Sequence, residues 1–240
     1  MMRIFTKGFF KPVVLFCALT VSGLCMTSCE QEDSKDLGDA VLYQKYMLTV
    51  STDGETVAYA TFSRERNDFL KPVKLTGEQK ISVNGKPMNY NRLDSYHMVS
   101  YIYSLKLDKG TQEAEFSFVR FKDKDIKNKL AKDNSLAISL PADLETLEAG
   151  KAVNWNGAVK ASDETIEVVM VKDDKKQYSE YFAEVTPDGK GFVFKKMPEE
   201  KGKFKLTIRR YKTVPTTQND RTADGDMTLC YQDTKTINLK

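Results

Sequence analysis

Cysteine, histidine and tryptophan are scarce in this chain, with four, one and one in 240 residues. Cys17, Cys25 and Cys29 all fall in the first 29 positions, so the body keeps Cys230 alone. A disulfide framework is therefore excluded, and stability must come from a packed core. The single histidine, His97, has no second histidine and no Gly-x-Ser-x-Gly near it, so no nucleophile–base arrangement is legible. Zinc spacings, phosphate-cradling glycine loops and dinucleotide fingerprints are also missing. No charge of one sign dominates. There are 37 basic and 34 acidic residues, and Arg3, Lys7 and Lys11 precede an apolar run with no acid before Glu30. Setting those three cations aside leaves 34 against 34, which offers no basic groove for nucleic acid. The apolar run, Pro12 to Leu24, holds about 13 residues where a spanning helix needs about 20.

What is present at the N-terminus is a cationic start, a short apolar core and the small-residue run Met26-Thr27-Ser28-Cys29, then Glu30-Gln31-Glu32-Asp33. This resembles a bacterial lipoprotein signal. A signal peptidase of that class needs small side chains before the cut, which Ser28 supplies, and the Cys29 thiol then carries the lipid. Cys25 is the competing position, but bulky Leu24 precedes it. The expected division is a signal peptide over 1–28 and an acylated flexible tether over 29–38. Two acyl chains at Cys29 would make a firm membrane anchor, at about 0.8 kcal/mol per buried CH₂. The acidic residues after Cys29 resemble the surface-export signal of Bacteroidota-type lipoproteins, which implies the outer membrane and its exposed face.

From Val41 onward, short apolar alternations are separated by turn residues. Tyr46, Leu48 and Val50 alternate with polar positions, and Asp53-Gly54 then leads into Thr56 to Phe62. Such runs around Asp-Gly or Asn-Gly predict hairpins. The same reading gives Ile81 to Val83 before Asn84-Gly85, a strand from Tyr96 to Leu107, a turn at Asp108 to Gly110, and a strand from Ala114 to Phe121. Lys122 to Asn134 carries Ile126 and Leu130 four apart among charges, which predicts a short helix or loop. Ser135 to Leu140 resumes as a strand. After a boundary at Pro141 come Val153 to Val159, Thr165 to Val171, Tyr178 to Val185, Gly191 to Lys195, Phe204 to Tyr211, Met227 to Gln232 and Thr236 to Leu239. Spacings near ten residues are those of sandwich strands. The expected fold is all-β: two tandem immunoglobulin-like β-sandwiches over 39–140 and 141–240, with one larger sandwich as the alternative.

Thr61 to Leu75 with Ile81-Ser82-Val83-Asn84-Gly85-Lys86-Pro87-Met88 resembles the first repeat of Bacteroidota-type exported lipoproteins with tandem Ig-like domains. Gly202-Lys203-Phe204-Lys205-Leu206-Thr207-Ile208-Arg209-Arg210 resembles the penultimate strand of their second repeat. That resemblance implies anchoring and fold; the family has no assigned activity.

Several residues invite a functional reading. Tyr96, Tyr101 and Tyr103 could form a sugar-stacking surface, although Tyr101 and Tyr103 share a face with Val99 and Leu105, as inner-sheet residues do. Trp155, between Asn154 and Asn156, is either a core anchor or a stacking ring. Asp220, Asp224 and Asp226 could hold Ca²⁺, but Thr222 and Tyr231 stand where ligands should be and Arg221 opposes a cation. Cys230 alternates with Leu229 and Tyr231 as a structural strand residue does. No residue is assigned a catalytic, metal or cofactor-binding role. The expected function is a lipid-anchored, non-catalytic binding or adhesion module for a glycan or protein. A carboxylate-dependent hydrolase acting on glycans and a structural subunit of an envelope assembly are the alternatives.

Overall fold

A computed structural model describes residues 32–38, 40–64, 71–95, 98–121, 124–172, 179–221 and 223–239, with backbone alone for 93–95 and 98–100. Cys29, Tyr96 and His97 lie outside the described residues. In chain order the strands are β1 Glu32–Asp33, β2 Tyr43–Ser51, β3 Thr56–Ser63, β4 Val73–Lys74, β5 Lys80–Val83, β6 Lys86–Pro87, β7 Asn89–Ser95, β8 Met98–Lys106, β9 Glu113–Phe121 and β10 Lys124–Ala131. They continue with β11 Ile138–Ser139, β12 Val153–Asn154, β13 Asn156–Gly157, β14 Glu164–Lys172, β15 Glu180–Phe182, β16 Glu184–Val185, β17 Gly191–Val193, β18 Gly202–Pro215 and β19 Gly225–Leu239. Two short 3₁₀ turns, Ser34–Leu37 and Asn134–Leu136, are the only helical turns among the described residues. None of these elements could cross a membrane as a helix.

The turns follow their residues. Asn84 and Gly85 take φ of 49° and 74°, the pair of positive angles that a type I′ turn needs to join β5 and β6 without splaying them. Asp53 Oδ1 accepts from Glu55 N in the β2–β3 turn, and Ser51 N donates to Glu55 O across it.

The fold is an all-β sandwich built around one eight-stranded sheet in the order β15-β14-β18-β19-β2-β3-β8-β7. The β2-β3-β8-β7 half of that sheet, from the first part of the chain, is covered by β10-β9-β5-β6. Tyr46 stacks on Phe116 at 4.7 Å and Phe62 meets Phe118 at 4.5 Å, which closes the two layers on each other. The second half packs against β12-β17-β16 and β11-β13 through Trp155, Phe192, Phe194, Phe204 and Ile237. Fully burying one such side chain contributes about 1.5–3 kcal/mol. The halves do not end at each other: β19 pairs in parallel with β2 from Gly225↔Gln44 to Gln232↔Ser51, and one buried cluster runs from Leu42 to Leu239.

Four expectations are corrected. Lys124–Ala131 is a strand, because its buried positions are Ile126, Asn128 and Leu130, a period of two rather than of one helical turn. Ile138–Ser139 pairs with Asn156–Gly157, so it belongs to the second half rather than closing the first. Met227 to Leu239 is one long strand, not two, because β18 accompanies it in unbroken register. The expected flexible tether is docked from Glu32 onward: β1 pairs in parallel with β4, and Ser34 is buried.

Candidate functional site

The edge strand β7 positions the most exposed stacked ring. Pairing of Tyr90 with Tyr103 and of Arg92 with Tyr101 sets all four on one face of the sheet. Tyr103 belongs to the core cluster, and its hydroxyl accepts from Leu75 N at 2.8 Å. Burial pushes its phenol up to about 12. Tyr90 lies 5.8 Å from both Tyr101 and Tyr103, ring to ring, yet is 39% exposed. The aromatic layer of the core therefore runs out to the rim of the sheet and surfaces at Tyr90. Lys74, from β4, places its ammonium 5.1 Å from the Tyr90 centroid, and exposed Arg92 stands two residues along. On the other face Asn91 turns its amide to Ser104 Oγ at 3.0 Å, which fixes the strand.

A second polar cluster lies on the face of the large sheet opposite the core. Glu167 Oε2 accepts from Arg209 at 3.4 Å and from Tyr211 Oη at 3.2 Å, while Arg209 Nε donates to Gln232 at 3.3 Å. Burial raises the Glu167 carboxyl above the usual carboxylate range, and Arg209 opposes that shift. Met47, Tyr59, Ile102, Tyr211 and Cys230 form a small buried group beside it. Burial pushes the Cys230 thiol up to about 12, so it is not a thiolate near neutral pH.

The other sequence candidates are placed as follows. Trp155 is buried, 6% exposed, with Nε1 donating to Ala158 O at 3.3 Å; the core reading holds. Tyr101 is buried and Tyr103 is core, so neither offers a face of its own, and Tyr90 carries the exposure. Tyr90 has the same amide-flanked pattern, Asn-Tyr-Asn, as Trp155 in Asn-Trp-Asn, yet one ring is exposed and the other buried, so the pattern does not mark a site. In the acidic loop, Asp220 is buried against Arg120 Nε at 3.1 Å, and Asp226 accepts from the Tyr43 hydroxyl. These carboxylates point to different partners rather than to one centre, and no cluster of three metal-ligating side chains occurs among the described residues.

A cavity of about 240 Å³ is lined by Ser34, Thr76, Gly77, Glu78, Gln79 and Arg120 among others. Its wall is already engaged. Arg120 donates to Asp220, to Gln79 Oε1 at 2.6 Å and to the carbonyls of Gly38 and Ala40 at 3.4 and 2.5 Å. Among the described residues Glu78 is the one carboxylate lining it, whereas glycoside cleavage needs a facing pair.

No family model matches the chain, and no curated protein matches it. Among solved structures the chain is similar to the Yersinia pseudotuberculosis adhesin InvE, with 11% identity and a TM-score of 0.24 over 85% of this chain. The similarity spans 61% of that adhesin's chain, less than two thirds of it.

Proposed function

We propose that this is a lipid-anchored binding module of the cell envelope, acylated at Cys29 and exposed at the outer membrane, that binds a glycan through Tyr90. The observation that supports it is the surfacing of the core's aromatic layer at Tyr90, held by Tyr101 and Tyr103 and flanked by Lys74 and Arg92. A ring fixed in this way can stack on the apolar face of a sugar at little entropic cost, since its neighbours already hold it. The two flanking cations favour a glycan that carries carboxylate or sulfate groups.

The test is a panel of immobilised neutral and acidic oligosaccharides against the body from Glu32 onward. Acidic members should bind, and Tyr90→Ala should weaken them by about 2 kcal/mol, roughly thirtyfold in Kd. Its thermal midpoint should hardly move, because the ring is partly exposed. Absence of binding to every glycan, or binding unchanged by Tyr90→Ala, would overturn the reading. Anchoring is tested separately: Cys29→Ala should abolish palmitate labelling and move the protein to the soluble fraction.

A further inference from the structure

We infer that the body sits directly on the lipid headgroup layer, seated by the end of the first sandwich at which β1 docks, with the opposite end turned outward. This rests on lipidation at Cys29 as proposed above, and goes beyond it by fixing the orientation.

Glu32 and Asp33 are part of the fold. β1 pairs with β4, Glu32↔Val73 and Asp33↔Lys74. The carboxylate of Glu32 accepts from Arg64 at 3.0 Å and lies 3.9 Å from Lys71. Ser34 is buried: its Oγ accepts from Thr76 N at 2.8 Å and its carbonyl accepts from Gln79 Nε2 at 3.2 Å. Lys35 N then donates to Thr76 Oγ1 at 3.2 Å. Backbone pairing, a buried serine and two cations on one carboxylate thus hold this segment to the sandwich. Only Glu30 and Gln31 stand between Cys29 and Glu32. Three residue steps, fully extended, reach about 10 Å. The headgroup layer on each side of a bilayer is about 5–8 Å thick. A lipid on Cys29 therefore leaves no room for a layer of bulk water between the docked end and the headgroups.

The register says which parts lie near and which far. β3 ends at Ser63 beside the start of β2, and β19 starts at that same end, since Gly225 pairs with Gln44. Arg64, Lys71, Lys35 and the 216–225 loop are thus gathered on the membrane side. The β2–β3 turn at Thr52 to Glu55, the Asn84-Gly85 turn and the Asp108 to Gly110 turn close the other end. Tyr90 pairs with Tyr103, which pairs with Ala60 midway along β3, so its ring lies on the side of the sandwich between the two ends.

The full chain can be tested in its lipidated form. Lys35→Cys and Lys109→Cys place a single reactive thiol at the near and far ends, because Cys29 is acylated and Cys230 is buried. Each is labelled with a fluorophore and reconstituted in vesicles whose headgroups carry a nitroxide quencher. Emission should be lost at position 35 and kept at position 109. Inserting about twelve Gly and Ser residues after Gln31, with a reach of about 20 Å, should restore emission at position 35. Equal quenching at both positions, or no effect of the insertion, would overturn the orientation while leaving the anchor intact. Absence of acylation at Cys29 would remove the anchor and the orientation together.

Discussion

Trp155 shows how little a residue's neighbours in sequence say about its burial. Flanked by exposed amides, it still lies in the core, and its indole N–H is satisfied by Ala158 O. Trp155→Ala should cost about 3–5 kcal/mol through lost burial and the cavity left behind. The native indole should emit at short wavelength and resist iodide; a red-shifted, readily quenched emission would overturn its placement. Each half of the sandwich also carries a fully buried guanidinium. Arg120 meets Asp220, and Arg210 meets Glu164 at 2.5 Å while donating to the carbonyls of Ala158 and Val159 at 3.0 Å. Arg120→Met should cost about 3–5 kcal/mol, because it leaves Asp220 buried without its strongest partner. Adding Asp220→Asn should recover part of that loss, and the denaturant midpoints of the two variants measure the difference. At the surface, Asp133 is held below its ordinary range by hydrogen bonds from the Ser135 hydroxyl and amide. A depressed folded value means its stabilisation is present above the unfolded pKa of about 3.9 and is lost as pH falls through the folded one. An NMR titration should show the Asp133 carboxyl midpoint below that of a model peptide.

At the scale of elements, turn chemistry made the hairpins legible in the sequence. Asp53-Gly54 and Asn84-Gly85 each close a turn where expected, with Gly54 and Gly85 at φ of 85° and 74°. What misled the reading was a buried polar residue. The central inward position of β10 is Asn128, so Ile126 and Leu130 stood alone, four apart, as on a helix. Asn128 is tolerated there because Oδ1 accepts from Thr217 N and Gln218 N at 2.8 and 3.0 Å, and Nδ2 donates to Gln218 O at 2.9 Å. The Tyr90 site was equally hidden, since its exposure depends on β7 being an edge strand and not on its own residues. Docking of β1 and the β19–β2 pairing were illegible for another reason: parallel partners far apart in sequence leave no turn signal. The β19–β2 seam is tight. A Cβ on Gly225 would lie 2.6 Å from Thr216 Oγ1 and 2.8 Å from Gln44 O. Gly225→Ala should therefore destabilise by about 1–3 kcal/mol, from crowding against backbone that cannot give. Thermal unfolding that matches the parent would show that the seam can open.

The molecule as a whole is two sandwich halves that neither share a linker nor stand apart. The strand that completes the second half, β19, hydrogen-bonds on one side to β18 and on the other to β2, and the core cluster does not break at the boundary expected near Pro141. Separating the halves would leave the inner edge of β19 and the inner edge of β2 each with eight unpaired positions and would expose Leu229 and Leu48 at the cut core. Exposed strand edges of that length pair with other chains. Unfolding of either half must therefore carry the other with it. Calorimetry of the body from Glu32 onward should show one transition, with calorimetric and van't Hoff enthalpies in agreement. Two resolved transitions would mean that the β19–β2 pairs contribute little to cooperativity. A fragment from Pro141 to the end should by the same argument aggregate when expressed alone, because β19 then presents its open edge along its first eight paired residues. A soluble, monomeric fragment with a cooperative melt would show instead that the second half closes on itself without β2.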